Sequence, residues 1–209
     1  GLEIFVTDGV AASTFTKVYG NHFYGNTVGD GSFVCALDIS NTGTTLLLPN
    51  TWVAGNIVRG SKCGIVISKL VSGQVVNNTV LDATAEAGIY LETDADQLFV
   101  ANNAIRAGAF PAIRTSDDGV GAANTFSHNF YDTTGATNLA RHASTNYTAG
   151  TLATFEPSAV TGTLSFLSES SFDFRLTAES TARRAGTSTV CIDYRGRACY
   201  PDRPDIGAY

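Results

Sequence analysis

Tyr90, Glu92 and Arg114 are the side chains in this chain whose types and spacing could do chemistry together. A guanidinium can neutralise the carboxylate of an acidic sugar. A phenol or carboxylate can then take the neighbouring proton, and an acid can protonate the leaving oxygen. On that reading Arg114 neutralises, Tyr90 is base or acid, and Glu92 sits beside it. Asp38, Asp117 and Asp118 are the candidate substrate contacts. Glu86, Asp94 and Asp96 offer the oxygen ligands that Ca²⁺ takes. Two acids such as Glu92 and Asp117 could instead hydrolyse a glycosidic bond. The competing reading of the same residues is a solvated face with a Tyr–Arg stack and ordinary surface ion pairs.

Those positions depend on a repeat. The pattern apolar-x-x-Asn-x-apolar occurs at Phe23–Val28, Val53–Val58, Val75–Val80, Val100–Ile105 and Phe126–Tyr131, with Asn26, Asn56, Asn78, Asn103 and Asn129 at its centre. The steps between them are 30, 22, 25 and 26 residues. A second column aligns Ala36-Leu37-Asp38-Ile39-Ser40, Gly64-Ile65-Val66-Ile67-Ser68, Gly88-Ile89-Tyr90-Leu91-Glu92 and Ala112-Ile113-Arg114-Thr115-Ser116, with Gly1–Phe5 one longer step earlier. β-branched residues, glycine and asparagine dominate, and no long segment has 3.6-residue periodicity. A period in the twenties built from short strands predicts an all-β solenoid whose coils stack in parallel. A leucine-rich repeat would need a helical return and a Leu-x-x-Leu-x-Leu consensus, which the chain lacks.

Alternation within each strand puts Leu37/Ile39, Ile65/Ile67, Ile89/Leu91 and Ile113/Thr115 inside. One outward column is then Glu3, Asp38, Val66, Tyr90, Arg114, and the other is Phe5, Ser40, Ser68, Glu92, Ser116. Stacked asparagines predict an internal ladder through Asn103, with Asn102 a left-handed turn residue beside it. His128 shares the turn column with Asn77 and Asn102, which makes it a turn residue rather than a catalyst.

Composition sets outer bounds. Of 209 residues, 44% are hydrophobic and 15% charged, enough for one continuous core. A net charge of −6 with no basic stripe argues against a nucleic-acid partner. No run approaches the roughly 20 apolar residues of a membrane helix. Gly1–Ile4 occupies a strand slot with nothing before it to cap the stack, so further N-terminal coils or another chain are expected to cover that end. The four cysteines have no zinc-type spacing. Two readings stand: Cys191 and Cys199 close a short loop in an oxidising compartment, or all four are buried free thiols.

The repeat over residues 1–132 resembles the right-handed parallel β-helix of secreted carbohydrate-active proteins, the pectin lyase-like superfamily. Residues 133–209 read as irregular strands and a C-terminal cap packed on the helix. Asp193, Arg195, Arg197, Asp202, Arg203 and Asp205 crowd around Pro201 and Pro204 there, a salt-bridged closing segment. Leu176…Ser180…Ala182…Ala185-Gly186, Asp193-Tyr194-Arg195-Gly196 and Asp205-Ile206-Gly207-Ala208-Tyr209 resemble the closing segment of secreted bacterial β-helix proteins. Gly196-Arg197 stands where their pattern has Gly-x-x-Arg. The resemblance implies a secreted or cell-surface protein with a polysaccharide partner, and β-elimination as the first activity to consider. It does not fix an activity. Of the polygalacturonase-type motifs only Asp117-Asp118 is present, and Lys69 and Arg114 lack the Arg-His-Gly context of alginate and chondroitin lyases. Non-catalytic binding is the alternative, with Phe5, Tyr19, Tyr24 and Trp52 as candidate exposed aromatics. A structural stalk or tail-fibre segment fits the uneven coil lengths less well.

Overall fold

The computed structural model describes residues 2–6, 16–25, 35–41, 48–92, 94–116, 124–188 and 204–207. Five triplets of short strands follow one another: β1 (Leu2–Val6), β2 (Thr16–Tyr19), β3 (His22–Tyr24); β4 (Cys35–Asn41), β5 (Leu48–Ala54), β6 (Ile57–Arg59); β7 (Cys63–Ile67), β8 (Leu70–Val76), β9 (Thr79–Leu81); β10 (Ile89–Leu91), β11 (Asp96–Ala101), β12 (Ala104–Arg106); and β13 (Ile113–Thr115), β14 (Thr125–Ser127), β15 (Phe130–Asp132). Every third strand pairs in parallel, which builds three sheets along one axis. The molecule is an all-β parallel solenoid, as the repeat predicts.

The inward columns are apolar and in register. Leu37, Ile65, Ile89 and Ile113 stack in the first sheet. Val53, Val75 and Val100 stack in the second, and Val58, Val80, Ile105 and Tyr131 in the third. All are buried. Each such side chain withdrawn from water contributes about 1.5–3 kcal/mol before the entropy of ordering is set against it.

The corner between the second and third sheets is two residues long and chemically uniform. Its first residue takes left-handed backbone: Gly20, Gly55, Asn77, Asn102 and His128 have φ of 65°, 63°, 53°, 54° and 53°. Glycine, asparagine and histidine are the types that tolerate this region. Its second residue is the ladder asparagine. In every rung the backbone N–H and the side-chain amide of one asparagine both donate to Oδ1 of the next. Asn56 binds Asn78 at 3.0 and 3.0 Å, Asn78 binds Asn103 at 3.0 and 2.9 Å, and Asn103 binds Asn129 at 3.1 and 2.9 Å. The remaining amide proton goes to a strand-end carbonyl one coil back, as from Asn78 to Val53 O at 2.9 Å. No buried asparagine polar atom is wasted.

Two expectations change. The first-coil ladder residue is Asn21, not Asn26: Asn21 donates to Asn56 Oδ1 from both nitrogens at 3.1 Å. Asn26 lies outside the described residues. Its neighbour Gly25 is in register with Gly60 and Asp82 at the next corner, where φ is again 69°, 64° and 60°. Gly20 and Gly25, each followed by asparagine in the sequence, stand at different corners, and the repeat pattern matches the second. The solenoid also continues past residue 132. β16 (Ala140–His142) adds to the first sheet in parallel and then turns back as the antiparallel β17 (Thr145–Tyr147). The one-turn helix α1 (Leu152–Phe155) brings Phe155 against Phe126 and Tyr147, and β18 (Val160–Gly162) extends the third sheet.

The described segment after β18 runs back along the third sheet. The hairpin of β19 (Phe166–Ser168) and β20 (Asp173–Leu176) packs Phe174 with Leu81, Ala104, Phe130, Leu164, Ala182 and Ile206. Arg106 binds both Asp82 and Glu169, at 3.1 and 2.7 Å. Thr187 N–H donates to Asn102 Oδ1, and Gly207 N–H donates to Asn102 O, both at 2.8 Å. A turn asparagine thus anchors the Asp205-Ile206-Gly207 segment. Cys191, Cys199 and residues 193–203 lie outside the described residues.

Candidate functional site

The site is built by strand register. Asp38, Val66, Tyr90, Arg114 and Arg141 occupy successive rungs of one outward column of the first sheet. Glu92 and Ser116 continue the strands just past Leu91 and Thr115, held by N–H bonds to Ile67 O at 2.8 Å and Leu91 O at 3.0 Å. Glu86 arrives from the loop before β10. That loop is pinned to the previous coil by Ala85 N–H to Lys62 O at 2.8 Å.

The expected Tyr90–Arg114 neighbour pair is present, with the guanidinium 4.6 Å from the ring centroid. Arg114 Nη1 also pairs with Glu86 Oε2. The expectation that Tyr90 is a solvent-facing base needs correction: only 7% of it is exposed. The Arg114 stack covers one face of the ring, and Cys35, Cys63, Val66 and Ala87 pack with it. Cys35 and Cys63 form a disulfide that staples β4 to β7, with Cα atoms 4.6 Å apart. The reading of four free thiols is wrong for this pair. Each cysteine directly precedes the aligned column, at Ala36 and Gly64, so the repeat itself carried the signal.

Glu92 is the acid that the face perturbs. Burial raises its pKa above the ordinary glutamate value, and Asp38 and Glu86 raise it further, while Arg114 pulls it down. Asp38, Glu86, Glu92 and Arg114 therefore act as one electrostatic cluster. Tyr90 supports it from beneath by holding the guanidinium. Lys17 over Trp52, at 5.2 Å, lies apart from this cluster on the second sheet. Tyr19 and Tyr24 are exposed.

The calcium set does not come together. Glu86 is engaged by Arg114. Asp94 sits on an exposed left-handed turn, and Asp96 Oδ1 accepts the Gln97 N–H at 2.9 Å. Among the described residues no group of three or more His, Cys, Asp or Glu is placed to hold a metal ion. Asp117 and Asp118 lie outside the described residues. Arg141 lies beyond residue 132, where the sequence repeat loses its asparagine. Leu139-Ala140-Arg141-His142 has the form of Ala112-Ile113-Arg114-Thr115.

No protein-family profile, curated protein or solved structure matches this chain.

Proposed function

We propose that this is a secreted carbohydrate-active protein of the right-handed, pectin lyase-like β-helix type. Its outer first-sheet face binds a polysaccharide and cleaves it by hydrolysis. The observation that carries the reading is Glu92, a half-buried carboxyl whose proton is held by burial and by Asp38. Glycoside hydrolysis requires two acids at the scissile bond, one of which keeps its proton. In this role Glu92 protonates the glycosidic oxygen and Asp38 is the second acid of the pair. Arg114, fixed by Glu86 and Tyr90, moderates the proton affinity of Glu92.

Hydrolysis fits better than β-elimination. Elimination needs a cation available to a uronate carboxylate and a base open to the substrate. Arg114 is already neutralised by Glu86, and Tyr90 lies under it. The carboxyls of Asp38, Glu86 and Glu92 outnumber the one guanidinium, which disfavours an acidic sugar at the centre of the cluster. Secretion is supported by the Cys35–Cys63 disulfide, because such bonds persist in oxidising compartments, and by the resemblance of the closing segment. Right-handedness rests on that resemblance and on the strong preference of parallel crossovers.

A second reading, binding without cleavage, is favoured by the Glu86–Arg114–Tyr90 arrangement, which also stabilises a face that does no chemistry. Digestion of a panel of neutral and acidic polysaccharides, read by product mass, separates the two. Products that each gain one water support hydrolysis. Products that each lack one water point to elimination and reject it. No products, with binding retained, leave the second reading.

A further inference from the structure

The outward column does not stop at Arg114. Arg141 on β16 stands in register with it one rung further on, about 4.8 Å along the axis. Like charges directly opposite on neighbouring strands repel. Glu86 neutralises Arg114, but among the described residues no carboxylate pairs with Arg141. Its Nε donates to Ala143 O at 2.9 Å, which leaves both terminal nitrogens of a half-buried guanidinium without a described acceptor. Ser116, two residues beyond Arg114, has a buried Oγ with no hydrogen-bond partner. Among the described residues the face is therefore polarised: carboxylates gather around β4 and β10, and a cation with no described carboxylate partner lies at β16.

We infer that Arg141, assisted by Ser116, binds an anionic substituent of the glycan, a carboxylate or a sulfate ester, two rungs beyond Glu92. This rests on the proposal that the face is a glycan site, and it adds the substrate class: a polymer with a neutral residue at the acid cluster and a charged one further along. The planar guanidinium fork matches the paired oxygens of either anion. Two rung spacings, about 10 Å, separate the subsite from Glu92, which puts the charge on a different sugar from the one cleaved.

The test is calorimetric titration of the full chain with length-matched neutral, uronate-bearing and sulfated oligosaccharides, repeated with Arg141→Gln and Arg141→Lys. Charged ligands should bind about tenfold or more tighter than neutral ones, the scale of one charge-assisted pair. Arg141→Gln should remove that preference while keeping the neutral affinity, and Arg141→Lys should restore part of it. Whichever charged ligand gains more identifies the anion. The wild-type preference and its loss in high salt are read without any variant. Equal binding of neutral and charged ligands, or a preference that survives Arg141→Gln, overturns the inference and leaves the glycan reading intact. Absence of binding to all three overturns both.

Discussion

Glu156 accepts both ladder protons of Asn129, the backbone N–H on Oε1 at 2.7 Å and the side-chain amide on Oε2 at 3.0 Å. A carboxylate thus ends a chain of asparagine amides. Tyr131, the bulkiest residue of its inward column, adds a third donor through its hydroxyl at 2.6 Å. Glu156 is fully buried. Burial raises its pKa and outweighs these bonds, which pull it down.

The sign of the pH effect follows. A carboxyl with a raised folded-state pKa adds stability that is complete below its unfolded pKa and is lost as pH rises through the folded one. The melting temperature should therefore fall over that window, from the ordinary glutamate range upward. Glu156→Gln should flatten this part of the profile. Glu156→Ala should cost about 3 kcal/mol or more by stranding three buried donors. Thermal melts across pH on the three proteins check this.

Ladder position sets the cost of losing a rung. Asn78→Ala strands the N–H and the side-chain amide of Asn56 and removes a bond to Val53 O, a loss of about 3 kcal/mol. Asn21→Ala, at the exposed first rung, should cost under about 1 kcal/mol, because water replaces its partners. Urea denaturation of the two variants should separate them clearly. Equal losses would mean that the ladder is not an internal support.

The Cys35–Cys63 staple closes a loop of sequence separation 28. Its reduction, or Cys35→Ser with Cys63→Ser, should lower stability by about 3–4 kcal/mol. Denaturation with and without reductant measures this. Peptide mapping without reductant that recovers Cys35 and Cys63 unalkylated in one linked fragment confirms the bond.

Arg114 lowers the proton affinity of Glu92. Arg114→Ala should therefore raise the Glu92 pKa and move the alkaline limb of any glycan-cleavage profile to higher pH. Glu86→Gln should move it the other way, because Glu86 raises Glu92. Rate–pH profiles of both variants test the coupling. Limbs that stay in place would exclude Glu92 as the acid.

Much of this was legible in the residues. Strict alternation in Gly88–Glu92 and Ala112–Ser116 sets the strand faces, so the Tyr90–Arg114 contact follows from the sequence. The ladder was legible because asparagine recurs at four of its positions, Asn56, Asn78, Asn103 and Asn129, and the first rung slipped because Gly20-Asn21 and Gly25-Asn26 offer the same pair in the sequence. Burial of Tyr90 was not legible, because it depends on the Cys35–Cys63 disulfide and on Ala87, which packs from a loop with no periodic signal. Glu156 was hidden for a related reason: it performs an asparagine's task as a different residue, 27 positions after Asn129 and beyond the last recognisable repeat. The Arg106–Glu169 pair joins positions 63 residues apart and leaves no local trace.

The central claim is tested most directly by comparing wild type with Glu92→Gln on one glycan, measuring turnover and affinity in parallel. The account predicts that cleavage is lost by about a hundredfold or more, the scale of a general acid, while affinity stays near that of wild type. Equal turnover in the two proteins, or no turnover by wild type on any glycan it binds, would contradict it.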